Sequence, residues 1–192
     1  MRATSEVAER QQYLAFTLAG GDYAIGILKV KEILQYEEIT KVPSTPRSIR
    51  GVLNLRGSVV PVVDLAVKFG LPENSVTKRT CVLVVETALD GQAAVMGLVG
   101  DAVSEVIELG ADDVEEPPAF GTRVKVDYLI GMGKVGRRFV LLLDIDKVLS
   151  ADERDLAAAL ERASLAATEG DEHPVAPGGG AAATSASEAP AT

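Results

Sequence analysis

Two apolar runs, residues 52–55 and 59–63, stand on either side of an Arg56-Gly57 pair. A polar pair between β-branched runs is the pattern of a strand, a tight turn and a second strand, and Gly57 supplies the positive φ that such a turn demands. Arg56 then sits on the rim of a rigid hairpin tip. There a guanidinium either meets a partner's carboxylate or stands as a soluble turn residue. Short β-branched runs broken by Gly, Pro and Asp recur over residues 12–150, at spacings typical of small barrels. The expected fold is therefore mainly β. Pro61, inside the second run, implies an edge strand or a bulge.

A chain of 192 residues, 47% hydrophobic, can bury a real core in one ordinary domain or two small ones. Its 28 acidic and 19 basic residues leave a formal charge of -9, which argues against nucleic acid and against an anionic membrane surface as partners. No apolar h-region follows Met1, and runs such as 81–85 and 139–143 are too short to span a bilayer, so neither export nor direct membrane insertion is expected. Arg137-Arg138 lies too deep in the chain to be an export signal. Cys81, the single cysteine, opens an apolar run and reads as a small buried hydrophobe in a reducing compartment.

The chain divides into four parts. Residues 1–11 are a polar lead-in, and residues 12–150 carry the β pattern. Residues 151–168 change period: Ser150 to Glu153 resembles a capping box, and Leu156, Leu160, Ala163 and Ala167 recur at helical spacing. Residues 169–192 are dominated by Ala, Gly, Pro, Ser and Thr, without an aromatic residue, and read as a disordered tail.

The β region repeats. Setting residues 51–64 against 131–144 without gaps matches Gly51 to Gly131, Val60 to Val140 and Asp64 to Asp144, and keeps five further pairs apolar. Upstream, Val30-x-Glu32-Ile33 is echoed by Val103-x-Glu105-Val106.

Several sharper chemistries fail on context. Residues 131–136 fit Gly-x-Gly-x-x-Gly, but a β run follows where dinucleotide binding needs a helix. Asp112, Asp113 and Asp144 lack the alternating α/β chain of a phosphoacceptor receiver. His173, the only histidine, lies in the tail, so no histidine-based triad and no metal site can be built. No catalytic residue, metal or cofactor is expected. Glu32 is different: apolar neighbours on both sides place a charge at the edge of an apolar surface, as in contact patches where area gives affinity and rim charge gives orientation.

Arg56-Gly57-x-x-x-Pro61-x-x-Asp64-Leu65, preceded by Ile49-Arg50-Gly51, resembles the signature of the CheW family, scaffold proteins of bacterial chemotaxis. The likeness extends to residues 13–18 with 23–25, to Lys29-Val30-Lys31-Glu32-Ile33, and to residues 128–131 with 139–149. It implies two five-stranded SH3-like barrels side by side with a groove between them, plus the C-terminal helix and tail. It also implies a non-enzymatic, cytoplasmic adaptor, recruited to receptor arrays at the inner face of the membrane. There it would join the cytoplasmic tips of chemoreceptors to a CheA-type histidine kinase. Val30, Glu32, Ile33, Gly51, Arg56, Gly57 and Val103 are the residues it nominates for receptor or kinase binding. CheA and CheV proteins share the domain but carry further domains, and a small β-barrel enzyme would need a clustered acid–base site. Only the first half of the repeat carries Arg-Gly-x-x-x-Pro, so the two barrels should differ in function. Residues 69–75 read as a connector, which sets the expected break between barrels near residues 66–80, with the chain ends free to cross between them.

Because the tail offers no apolar burial, removing residues 170–192 should leave the melting temperature and kinase coupling nearly unchanged. A loss of several degrees in a thermal melt of the truncated chain would show that the tail docks.

Overall fold

The computed structural model describes residues 10–37, 39–73, 75–89, 92–117 and 124–149, together with Glu153, Leu156, Ala157 and Leu160. The expected tail, residues 1–9 of the lead-in, and most of the expected helix over 151–168, Ala163 and Ala167 included, lie outside the described residues.

The chain changes sheet twice. β1 (Gln11–Leu18) and β2 (Gly21–Gly26) form a hairpin. A 3-10 turn, Ile27–Lys29, then carries the chain into a second sheet of β3 (Val30–Gln35), β4 (Ile49–Leu55), β5 (Ser58–Asp64), β6 (Cys81–Leu89) and β7 (Gln92–Gly100). After Asp101 it returns with β8 (Ala102–Leu109), β9 (Val114–Glu115), β10 (Leu129–Val135) and β11 (Arg138–Leu143). The strand orders are β8-β1-β2-β11-β10-β9 and β3-β6-β7-β5-β4. Short helices α1 (Leu65–Lys68) and α2 (Ile145–Val148) follow Asp64 and Asp144, so both ends of the repeat also end alike.

The expected break at residues 66–80 is therefore misplaced. That segment joins β5 to β6 inside the second sheet. The physical reason is the parallel pairing of β11 with β2, Leu141 to Tyr23 through Leu143 to Ile25, which builds one sheet from both ends of the chain. Pro61 is also not on an edge strand: β5 lies between β7 and β4, and at Pro61 it is registered to β4 alone, the ladder to β7 starting at Val62.

Each sheet closes into a barrel by the same device. The chain leaving an edge strand curls round to pair with the opposite edge. Beyond β3, Thr40 bridges Val52 of β4 through N–H···O bonds of 3.0 and 2.8 Å. Beyond β8, β9 pairs with β10, Glu115 opposite Met132. The first sheet counts six strands rather than five because this seam is two residues long there and one residue long in its counterpart. Glycine stands at both seams. A Cβ on Gly51 would overlap the Thr40 carbonyl and Ile39, and one on Gly131 would lie 2.8 Å from the Glu115 carbonyl oxygen.

The barrels hold small interiors. Tyr13, Ala15, Ala24, Ile107, Val140 and Leu142 are among those filling the first, and Val62, Val82 and Val99 the second. The largest apolar cluster lies between them, on the outer faces of both sheets, with Phe16, Ile25, Leu83, Met96, Leu98 and Leu143 all under 2% exposed. Phe16, Tyr23, Phe69 and Tyr128 run through it as a ladder, with ring centroids 6.1, 6.0 and 6.2 Å apart. Lys29, in the turn that links the sheets, holds Asp146 of α2 at 2.8 Å, and Thr87 of β6 donates to the same carboxylate. Burial alone would raise the Asp146 pKa; the bonds from Lys29 and Thr87 outweigh it and hold the group below the ordinary aspartate value.

Glu153, Leu156, Ala157 and Leu160 are helical, a spacing that puts them on one face, and Leu156 and Ala157 pack on the inter-barrel cluster. Ser150, the other half of the capping-box pattern, lies outside the described residues, and Glu153 has partners of its own in the core. It is 1% exposed and turns inward, pairing with Lys68 at 2.8 Å and accepting from the Ser48 hydroxyl. Removing one partner of a buried pair leaves the other charge stranded, so Glu153→Ala should cost about 3 to 5 kcal/mol in denaturant unfolding. The double variant Lys68→Met/Glu153→Leu should recover most of that loss. If the double variant is no better than the single one, the helix is not held by this pair.

Candidate partner-binding site

The Val-x-Glu-Ile and Val-x-Glu-Val echoes mark two β-bulges. In β3 the register passes from Val30↔Val85 directly to Glu32↔Val84, leaving Lys31 as the extra residue. In β8 it passes from Val103↔Phe16 to Glu105↔Ala15, leaving Ser104 extra. A bulge lets two residues three apart share one face of a strand. Val30 and Ile33 thus lie on the side of Val85 and Leu83, toward the inter-barrel cluster. Val103 and Val106 lie on the side of Phe16 and Leu14, the same cluster. Glu32 and Glu105 are turned the other way, each toward an arginine at its barrel's end.

An open groove of ≈ 560 Å³ runs between the barrels, with Ile33 and Gln35 of β3 facing Ala102, Val103 and Ser104 of β8. Ile33 is 45% and Val106 50% exposed, so the apolar surface of the interface continues out to solvent along both strands. Cys81 lines the same groove from within β6, 6% exposed, and burial pushes its thiol pKa up, as suits a packing residue.

The hairpin tip holds the second group of nominated residues. Leu55 pairs with Ser58, so Arg56 and Gly57 alone form the turn, and both have positive φ, 52° and 92°. That is the primed two-residue turn, which needs left-handed backbone at both positions; the sequence reading gave it to Gly57 only. The Gly57 amide donates to Asn54 Oδ1 at 2.8 Å. Arg56 Nη2 donates to Glu32 Oε1 at 2.8 Å, with the arginine side chain 77% exposed and the glutamate 29%. The guanidinium thus meets a carboxylate of its own chain. The pair spans a second groove of ≈ 540 Å³ lined by Leu34, Ile39, Val52 and Leu53. Its counterpart in the first barrel is Arg138, 3.3 Å from Glu105 and 3.4 Å from Asp22.

The nominated residues therefore fall into three places. Val30, Ile33 and Val103 share the inter-barrel face; Glu32, Arg56 and Gly57 share the end of the second barrel; Gly51 is buried at the barrel seam. Val106 was missed although it completes the second echo. Lys78 and Arg79, which border the inter-barrel groove, fall within the expected break at residues 66–80 and were not singled out.

The glycine run and the aspartates singled out in the sequence take structural places in the fold. Gly131, Gly133 and Gly136 lie in β10 and its turn into β11, so a strand and not a helix follows them directly. Asp113 accepts from the Gly110 amide at 2.9 Å, and Asp144 pairs with Lys147 at 3.2 Å. Among the described residues no three His, Cys, Asp or Glu side chains are placed to hold a metal, and no helix is long and apolar enough to cross a membrane.

Two small barrels joined by their outer faces, with an open groove along the join, define a two-barrel binding module. The CheW-like domain model matches residues 12–153, and the chain belongs to the CheW family. It is similar to the chemotaxis protein CheW of Klebsiella aerogenes, 42% identical over 146 residues, covering 76% of this chain and 86% of that one. Bacillus subtilis CheW is 28% identical over 157 residues, with 80% and 96% covered. The scaffolding protein TtCheW of Thermoanaerobacter tengcongensis has a solved structure matching with a TM-score of 0.66 at 29% identity, over 80% of this chain and 96% of that one.

The two glycines at nominated positions should separate in a thermal melt. Gly51→Ala puts a methyl into the seam and should cost about 2 to 4 kcal/mol. A Cβ on Gly57 meets nothing within 4 Å. Gly57→Ala should therefore cost only the strain of left-handed backbone, about 1 to 2 kcal/mol. Equal losses would mean that the seam is not close-packed.

Proposed function

We propose that this chain is a non-enzymatic adaptor coupling the cytoplasmic tips of chemoreceptors to a CheA-type histidine kinase, in arrays at the inner face of the membrane. The carrying observation is the pair of bulges. They separate an apolar strand face, with Ile33 opposite Val103 in the groove and Val30 and Val106 on the same faces of their strands, from a charged barrel end, Glu32 with Arg56. One chain thereby offers two surfaces of different chemistry, which is what bridging two partners requires. The groove suits an amphipathic helix laid in by its apolar face. The barrel end suits a second barrel met end to end, as the kinase's related regulatory domain would supply. Coupling then consists of holding the kinase in a geometry whose population the receptor shifts. The names carried by the relatives, chemotaxis proteins and a scaffolding protein, support this reading.

Arg56→Ala tests the barrel end. An exposed ion pair contributes about 0 to 1 kcal/mol to folding, so the melting curve should stay near normal. Loss of a charged anchor from an interface should weaken partner binding by about 1 to 4 kcal/mol, with receptor-dependent kinase activation falling in parallel. Arg56→Lys should rescue only partly, because an ammonium lacks the planar fork. An early-melting Arg56→Ala protein, whose signalling merely tracks its folded fraction, would make Arg56 structural and the proposal wrong at this site.

A further inference from the structure

The loop over residues 75–80 borders one end of the inter-barrel groove, and it is a built turn. Thr80 is 5% exposed, and its hydroxyl accepts from the Thr77 amide at 2.8 Å. The Thr80 amide donates back to the Thr77 carbonyl at 3.1 Å, and the Arg79 amide donates to Thr77 Oγ1 at 3.2 Å. Tyr36, just beyond β3, donates its amide to the Thr80 carbonyl at 3.0 Å and ties the turn to the groove wall. Lys78 and Arg79 stand side by side on this turn, both exposed and both lining the groove.

The groove is electrostatically polar. Gln35 pairs with Cys81, so the two cations lie at the Gln35 end of β3, opposite Val30. Near the Val30 end the cations are matched: Lys29 by Asp146 at 2.8 Å and Lys31 by Glu86. Among the described residues neither Lys78 nor Arg79 has an ion-pair partner. Asp101, which borders the same loop, accepts from the Ala19 amide at 2.7 Å. In a chain of formal charge -9, an unmatched pair of cations at one end of an apolar groove is a local reversal of sign.

We propose that Lys78 and Arg79 select the helical segment that occupies this groove and fix its direction, by pairing with acidic side chains at one end of its apolar stripe. This rests on the groove being the receptor-facing surface. From Val30 to Gln35 β3 runs about 17 Å, the length of roughly 11 helical residues, so the acidic residues belong about three turns from the far apolar contact. Rim charges of this kind steer encounter and set register more than they add affinity.

The test uses the full chain and, as probe, the soluble helical-hairpin tip of a chemoreceptor, with association measured from low to high salt. Lys78→Glu/Arg79→Glu should lower the association rate about tenfold or more at low salt and flatten its salt dependence. Its melting temperature should not change. Lys41→Glu/Arg47→Glu makes the same charge change at exposed positions outside this groove and should alter the rate by no more than about twofold. Changing an acidic probe residue to lysine should rescue the double variant only at one end of the apolar stripe. If Ile33→Asp abolishes binding while Lys78→Glu/Arg79→Glu matches the parent or the control variant, the cation inference is overturned and the groove stands. If Ile33→Asp binds normally, the groove reading itself fails.

Discussion

The apolar cluster between the barrels is the interaction on which the rest of this structure depends. A barrel of five short strands encloses little, and the second barrel's interior cluster is built around Val62, Val82 and Val99. Full burial of a large apolar side chain stabilises by about 1.5 to 3 kcal/mol, and most such side chains lie where the two sheets meet. β5 shows the consequence in sequence: Val60, Val62 and Val63 are all at most 3% exposed, because one face of the strand fills the barrel and the other meets its neighbour. Neither barrel is complete without its partner. The groove is the solvent-exposed margin of that same contact, so whatever occupies it touches the join that holds the fold together.

That arrangement ties the groove wall to barrel closure. The bulges at Lys31 and Ser104 bring two apolar residues per strand to the join and leave a glutamate on the opposite side. A regular strand could not do this, since residues three apart would face opposite ways. The same two strands then continue into the segments that close the barrels at Gly51 and Gly131. Groove wall, charged barrel end and seam are thus consecutive features of one stretch of chain, used twice.

What the sequence made legible was the part written in short range. The 80-residue offset between Gly51 and Gly131 marks a real equivalence of seams, and Val-x-Glu-Ile with its echo marks a real equivalence of bulges. The turn at Arg56-Gly57 was readable because it depends on two residues. Long-range facts were not readable. The parallel pairing of β11 with β2 and the pairing of β8 with β1 leave no local signature, and together they decide which strands share the first barrel. Pro61 looked like an edge residue because one-dimensional pattern cannot tell a strand edge from a point where one ladder has not yet begun. The pairing of Glu153 with Lys68, 85 positions away, likewise leaves no local pattern to read.

The two barrels carry the same charge pairing on different backbone. Arg138 reaches Glu105 from the first position of a strand, in ordinary extended backbone. Arg56 reaches Glu32 from the apex of a turn, held at φ 52°. A non-glycine residue there costs about 1 to 2 kcal/mol, and the exposed pair it forms returns about 0 to 1 kcal/mol. Folding therefore does not account for arginine at that position; asparagine would fit the turn with less strain. What the apex position does provide is reach. A 77% exposed guanidinium, paired with a carboxylate of the same barrel, is presented at the tip of a two-residue turn. The sparsely populated backbone at Arg56 is thus a local cost that the ion pair does not offset, and the first barrel's turn, with Gly136 at φ 60°, places glycine in the left-handed position and does not carry it.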